Sequence, residues 1–170
     1  QLIHSFLSEG RAHWSLFRTG KVLVRDEVAQ IKQIFRERRH RTVVLQHTYC
    51  GGGSTVARNV LYDLRHEFVC IAISELPDGC IAHLNRALRD LGCTGLELLI
   101  LLDLPHISAD EAYRTNLKNK LHSTTGNLFF LECEHYSSTA ATEESLDRGN
   151  AIRVQLGAIT SDQRLPEDLF

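Results

Sequence analysis

The chain has 170 residues, 43% of them hydrophobic and 24% charged, which is typical of a globular protein with room for one hydrophobic core. Its formal net charge of −2 argues against nucleic-acid binding driven by bulk charge. The apolar runs, such as Leu98–Leu102, are far too short to cross a membrane. We therefore expect a soluble domain with no membrane partner.

Residues 1–25 are interpreted as a lead-in segment, whose apolar side chains pack on a domain covering 26–170. From Asp26 onward, apolar residues recur at helical spacing, which predicts a helix over 26–39 with Asp26 as its N-cap. Basic residues crowd the far end of this helix: Arg36, Arg38, Arg39, His40 and Arg41. This patch either contacts nucleic acid or is a solvated helix end, and cations generally favour helix C-termini.

The rest of the chain alternates between short apolar runs and segments with helical periodicity. The predicted strands cover 42–46, 68–73, 96–103, 127–133 and 151–156. Predicted helices follow the first three of them; the second covers 77–91, and the third, over 109–122, is mainly polar and should be exposed. Strands that are apolar on both faces and alternate with helices indicate a parallel sheet covered on both sides. The predicted fold class is therefore α/β, three-layered, with a mainly parallel sheet of about five strands.

The five cysteines, Cys50, Cys70, Cys80, Cys93 and Cys133, contain no CxxC pair, and the histidines show no metal-ligand spacing. This favours reduced thiols in a cytoplasmic protein and predicts no zinc site. The chain begins at Gln1 and its last residues resemble the start of a helix, so we expect a fragment of a larger multidomain protein.

The segment "HTYCGGGST", residues 47–55, lies between the first predicted strand and a helix, where a phosphate-binding loop would lie. Aligned with G-x-x-x-x-G-K-[ST], it places His47 at the first glycine, Gly53 at the lysine and Ser54 at the metal-binding hydroxyl. The main-chain N–H groups would then bind phosphate without the usual lysine. The predicted nucleotide-binding residues are Gly51, Gly52, Gly53, Ser54, Thr55 and Arg25. The alternative is a flexible turn in which Ser54 or Thr55 caps the helix.

Asp103 ends the third predicted strand, and we expect this strand to be adjacent to the strand that precedes the loop. There its carboxylate would hold Mg²⁺ together with Ser54; alternatively, Asp103 is a turn residue. ATPases commonly place a second acid directly after this aspartate, but here Leu104 follows. The candidate stand-ins for a general base are His106, Asp110 and Glu111. The domain is therefore predicted to be at most a weak NTPase.

Further side chains complete the candidate site. His135, beside Glu134, ends the fourth strand, where such folds often place a sensor of the terminal phosphate; both residues also fit an ordinary loop. Arg58, one turn into the helix after the loop, is a candidate substitute for the lysine. Arg25 would approach the nucleotide, or else pair with Asp26 or another surface acid.

Five segments together resemble the sterile alpha motif domain-containing 9 and 9-like proteins, cytosolic antiviral and growth-restricting factors of vertebrates. They are "EGRAHWSLFRTGKVLVRDE", "CGGGSTVARNVLYDLRHEFVC", "LLILLDL", "NLFFLEC" and "IRVQLGAITSDQRLPEDLF". The resemblance implies a central P-loop NTPase domain, similar to signal-transducing NTPases, with a lysine-poor loop and with Arg25 helping to hold the nucleotide. The chain departs from the family pattern at Leu104, where members tend to carry an acid, and at His135, where they tend to carry an arginine.

Three functions follow as expectations. The first is a degenerate nucleotide-binding regulatory module of an innate-immune factor, in which ATP or GTP with Mg²⁺ controls the packing of other domains of the same protein or homo-oligomerisation. The second is a scaffold that keeps the sheet but binds no nucleotide. The third, an active phosphotransferase or NTPase, would use unusual residues such as Arg58 or His135.

Overall fold

Helices and strands alternate along the chain in the computed structural model, which describes residues 13–20, 22, 25–48, 51–74, 80–103, 111–122, 127–135 and 151–157. In chain order they are α1 (Trp14–Arg18), α2 (Asp26–Glu37), β1 (Thr42–His47), α3 (Gly53–Leu64), β2 (Val69–Ile73), α4 (Cys80–Gly92), β3 (Leu98–Leu102), α5 (Glu111–His122), β4 (Leu128–His135) and β5 (Ala151–Gln155). Every predicted strand is present, with boundaries shifted by no more than two residues.

The strands form one sheet in the order β2-β3-β4-β1-β5, and all four neighbouring pairs are parallel. This confirms the predicted α/β class, and the arrangement is consistent with a P-loop NTPase-like fold. The expectation that β1 and β3 are adjacent is wrong, because β4 lies between them. Parallel strands are joined by long crossovers, so a later strand can insert between two earlier ones and chain order does not set sheet order.

Side chains that alternate along the strands divide the core into two clusters, one on each face of the sheet. On one face, α2 and α3 cover the strand residues Val43, Leu45, Leu99, Leu101, Phe129 and Leu131. On the other face, α4 and α5 cover Leu98, Ile100, Leu102, Leu128 and Phe130. The molecule is therefore three-layered, and odd-numbered residues of β1, β3 and β4 face the helix that follows the glycine loop.

Helix α5 is less exposed than its polar composition predicts. Leu117 and Leu121 are four residues apart, share one helix face and are buried against the sheet. Between them, Lys118 places its Nζ 2.5 Å from a carboxylate oxygen of the buried Glu132 in β4. Two apolar side chains and one ion pair thus dock a largely hydrophilic helix.

The described apolar residues of the lead-in segment pack on the outer side of α3. Leu16, Phe17 and Val22 are buried together against Tyr62, and the Phe17 and Tyr62 ring centroids are 6.1 Å apart. Trp14 is 40% exposed, but its ring lies 5.7 Å from the guanidinium carbon of Arg58. The division into 1–25 and 26–170 stays a prediction.

Both ends of α2 differ in detail from the sequence analysis. Asp26 is the first helical residue, whereas Arg25 occupies the N-cap position without a side-chain cap. At the other end, Arg36 pairs with Glu67 and Arg38 with Glu97, each at 2.6 Å. The hydrogen bonds from Arg36 lower the pKa of Glu67, and those from Arg38 lower the pKa of Glu97. The basic patch is thus partly neutralised, which favours the helix-end interpretation over nucleic-acid binding.

The described cysteines, Cys70, Cys80, Cys93 and Cys133, are free thiols. Burial raises the pKa of Cys70 to about 11 and that of Cys133 well above its ordinary value. Because the thiolate is the reactive form, these two side chains are unreactive near neutral pH. Within the described ranges, no helix is long and apolar enough to cross a membrane.

Candidate functional site

The glycine loop joins β1 to α3, and each of its three glycines meets a different steric requirement. A Cβ at Gly51 would lie 2.9 Å from the Thr48 carbonyl oxygen. Gly52 has a φ of +80°, which favours glycine, and is the N-cap of α3. A Cβ at Gly53 would lie 2.1 Å from Cδ2 of His47. At these three positions of the described part of the loop, the backbone therefore requires or favours glycine.

The start of α3 presents main-chain donors at the carboxyl end of the sheet. The first helical hydrogen bond runs from Val56 N–H to the Gly52 carbonyl, at 2.9 Å. The N–H groups of Gly53, Ser54 and Thr55 precede it and have no partner within the helix. Such groups, with the positive end of the helix dipole, favour an anion. The predicted loop residues therefore have the geometry for phosphate binding, and their nucleotide-binding role stays a prediction.

Ser54 meets Asp103 beside these donors. Its hydroxyl donates to Oδ1 of Asp103 at 2.8 Å, and the Asp103 side chain is largely buried. Neither Ser54 nor Thr55 is the N-cap of α3, so the capping alternative is wrong. Asp103 is an odd-numbered residue at the end of β3, which directs it towards α3 although β4 separates β3 from β1. The two predicted metal ligands are thus in contact.

Arg58 reaches the same carboxylate. Its Nη2 lies 3.9 Å from Oδ2 of Asp103, and both side chains are mostly buried. A hydroxyl beside a carboxylate suits Mg²⁺, which often binds one or two protein ligands and completes its shell with water and phosphate oxygens. Among the described residues, no group of three or more His, Cys, Asp or Glu side chains forms a metal cage. The residues present fit a magnesium ion carried with phosphate, while Arg58 partly neutralises Asp103.

Two histidines lie side by side above the loop. His47 and His135 are register partners on β1 and β4, and their ring centroids are 4.2 Å apart. His47 is only 3% exposed, and its Nδ1 lies 3.0 Å from the Thr48 carbonyl oxygen. Burial is the main cause of its lowered pKa and His135 adds to it, whereas the Thr48 carbonyl and Asp103 act in the opposite direction.

The two predicted sensor residues, His135 and Glu134, lie on opposite faces of the sheet. His135 lies on the α3 side with His47, so it is close to the loop, and its sensor role stays a prediction. Glu134 alternates to the other face and accepts a hydrogen bond from the Gln46 amide at 2.8 Å. The structure therefore does not bring Glu134 to the site.

Arg25 is built into the wall of the site. It is only 4% exposed, and it donates to the Gly51 carbonyl at 3.3 Å and to the Gly157 carbonyl at 2.5 Å. Its carboxylate partner is Glu27, at 3.2 Å, so of the alternative interpretation, pairing with Asp26 or another acid, the second form is the one present. Arg25 thus lies at the loop, as predicted, but it holds loop backbone with the same guanidinium that would have to bind a nucleotide.

Glu27 is a residue that sequence analysis missed. Burial acts to raise its pKa, but N–H groups of Glu27 and Gly157 and the charge of Arg25 together lower it. The Gly157 N–H donates to its carboxylate at 3.0 Å. Arg25 and Glu27 therefore clamp the end of β5 to the glycine loop. No local pattern reveals this clamp, because Gly157 lies 132 residues after Arg25.

The remaining predicted residues lie outside the described part. Leu104, His106 and Asp110 fall between the described ranges, and the side chain of Glu111 is likewise not described although it begins α5. Their candidacy as general bases stays a prediction. Tyr49 and Cys50 of the loop are also outside the described residues.

No protein-family model and no curated protein sequence matches the chain. Among solved structures, that of C. elegans PCH-2 is similar, with a TM-score of 0.48 and 13% sequence identity. The match covers 76% of this chain and 41% of the nematode chain. A likeness this distant carries no argument about ligand or activity.

Proposed function

We propose that this domain is a lysine-free P-loop module that binds the phosphates of ATP or GTP in the concavity formed by residues 51–55. The observation that carries the proposal is the 2.8 Å hydrogen bond from Ser54 to Asp103, directly beside the first N–H groups of α3, which have no partner within the helix. It joins the two side chains that a magnesium–phosphate site needs: Ser54 in the helix that follows β1, and Asp103 directly after β3, although β1 and β3 are not neighbours in the sheet.

The main chain supplies most of the binding. The N–H groups of Gly53, Ser54 and Thr55 donate to phosphate oxygens, and the α3 dipole adds about half a positive charge at the same point. Magnesium, when bound, neutralises part of the phosphate charge. Ser54 and Asp103 would hold it, exchanging their mutual hydrogen bond for metal contacts. Arg58 stays within reach of Asp103 and limits the cost of burying that carboxylate.

Regulation would pass through the clamp formed by Arg25 and Glu27. Arg25 contacts the loop at Gly51 and the chain after β5 at Gly157, so a shift of the loop on phosphate binding changes both contacts. Nucleotide state would then bias the packing of whatever follows β5. Together with the sequence resemblance, this coupling is the basis on which we propose a role like that of signal-transducing NTPases in a cytosolic, antiviral protein of the sterile alpha motif domain-containing 9-like family. The partners are other domains of the same protein and, in a homo-oligomer, a second copy.

A nucleotide-free scaffold is the second candidate. Two contacts favour it: the His47 ring fills the space of the missing lysine, and Arg58 neutralises Asp103. In that case the sheet serves only to hold interaction surfaces. Added ATP and Mg²⁺ would leave the melting temperature unchanged, since only a ligand that binds the folded state raises it.

Calorimetric titration of the intact chain with ATP and Mg²⁺ tests the proposal. Ser54→Ala removes one magnesium ligand, so affinity should fall roughly tenfold or more, about the 1.5–3 kcal/mol typical of a polar contact with a charged group. The loss should disappear when Mg²⁺ is chelated. Thr94→Ala is the matched control, because it removes a hydroxyl bonded to the Leu91 carbonyl at the end of α4. If wild type and Ser54→Ala bind with equal affinity, the proposed site is wrong. If wild type does not bind ATP at all, the scaffold is favoured.

A further inference from the structure

The ring of His47 occupies the place where the side chain of a P-loop lysine would begin. A Cβ built on Gly53 would lie 2.3 Å from Cγ and 2.4 Å from Nε2 of His47. The ring therefore lies against the first residue of α3, where the helix presents its free N–H groups. A phosphate oxygen about 3 Å from the Gly53 nitrogen would also be within hydrogen-bond reach of this ring edge.

The hydrogen bonds of His47 determine what its outer nitrogen can do. A carbonyl oxygen only accepts, so Nδ1, 3.0 Å from the Thr48 carbonyl, carries a proton. In the neutral ring, Nε2 then bears a lone pair. Nε2 is buried and has no hydrogen-bond partner among the residues that the structure describes. Buried polar atoms are rarely left unpaired, which indicates a missing partner at this position.

We propose that His47 replaces the missing lysine: its Nε2 takes a proton from solvent when phosphate binds and donates it in a hydrogen bond to a phosphate oxygen. This inference rests on the proposed function of the loop. It identifies the ligand contact as an oxyanion bound to an imidazolium. No covalent bond forms or breaks, and the only species exchanged with solvent is one proton.

The groups around His47 support this coupling between proton and phosphate. Among the described residues, its charged and titratable neighbours are His135 from β4 and Asp103 after β3, with Arg58 of α3 next to that aspartate. Burial holds the pKa of His47 below its ordinary value, so the free site is neutral near pH 7. A bound anion favours the imidazolium and raises the pKa in the complex. The affinity for the anion should therefore increase as the pH falls from the pKa of His47 in the complex towards its lower pKa in the free site. The increase should be up to about tenfold per pH unit.

Sulfate is the probe, because it resembles phosphate but keeps its charge near neutral pH. Binding to the intact chain is measured at about pH 6 and about pH 8, together with proton uptake on ATP binding in two buffers of different ionisation enthalpy. We expect roughly tenfold tighter sulfate binding at the lower pH and uptake of up to about one proton per ATP. In His47→Gln, an amide still donates but does not titrate, so binding should persist without pH dependence. His66→Gln, which changes an exposed histidine after α3, should keep the wild-type pH dependence.

Imidazole nitrogen NMR of the wild-type chain gives a second readout that needs no variant. Saturating sulfate should move the Nε2 resonance of His47 to its protonated position. ATP binding without proton uptake, or an unchanged pH dependence in His47→Gln, would overturn the role of His47 while leaving the nucleotide site intact. If neither sulfate nor ATP binds at any pH, the proposed function and this inference fail together.

Discussion

Replacing Gly53 with lysine, which supplies the residue missing from the motif, should destabilise the domain. The new Cβ would lie 2.1 Å from Cδ2 of His47, a ring that is buried and bonded to Thr48. Overpacking of this kind typically costs about 1–3 kcal/mol. Urea denaturation should show this loss, and Gly53→Ala should show a similar one because its Cβ meets the same ring.

The double variant His47→Gly, Gly53→Lys is the decisive comparison. It removes the ring that the lysine meets and creates the full G-x-x-x-x-G-K-S pattern. We expect it to be more stable than the sum of the two single changes predicts, because the two positions share one space. It should also bind ATP more tightly than wild type at about pH 8, where lysine is charged and His47 is neutral. The packing of His47 on Gly53 would be contradicted if the changes in unfolding free energy of the two single variants added up to that of the double variant. A Gly53→Ala variant as stable as wild type would contradict it as well.

Removing the guanidinium of Arg25 should cause the largest loss of stability. Arg25→Ala removes the charged partner of Glu27, which keeps its bonds from main-chain N–H groups, and the buried donor to the carbonyl groups of Gly51 and Gly157. Breaking a buried ion pair by deleting one partner typically costs about 3–5 kcal/mol. Chemical denaturation near neutral pH measures the effect, and Arg18→Ala, at an exposed position of α1, should change stability little.

The pH dependence of this loss follows from Glu27. Its pKa is lowered in the folded state, so its contribution is fully present above the unfolded pKa of about 4.5 and disappears as the pH falls through the lowered value. The difference in unfolding free energy between wild type and Arg25→Ala should therefore shrink on acidification. A loss below about 1 kcal/mol at neutral pH would show that the clamp does not stabilise the loop.

The fold is predictable because local patterns decide its elements. The apolar runs of β1 and β3 are too short for helices and apolar on both faces, so they indicate buried parallel strands. The order of those strands in the sheet is not local information. It depends on which strands the crossovers place side by side, and so the insertion of β4 between β1 and β3 escaped the sequence analysis.

The candidate site is predictable only where its residues belong to one motif. The glycine run and the strand-end Asp103 identify the loop and its carboxylate, and the structure brings them together. The contact between His47 and Gly53 depends on a side-chain orientation within a turn, and the clamp between Arg25 and Gly157 joins distant segments. Helix α5 shows the same limit, because Leu117 and Leu121 are few among polar neighbours and yet dock the helix.

Amide NMR of the intact chain during titration with ATP and Mg²⁺ tests most directly whether phosphate binds at the start of α3. The N–H groups of Gly53, Ser54 and Thr55 would become hydrogen-bond donors to the ligand, so their resonances should show the largest changes and saturate together. The same titration of Ser54→Ala should need more ligand to reach saturation. Saturable changes confined to the α4 and α5 face, with the loop amides unmoved, would contradict phosphate binding at the glycine loop.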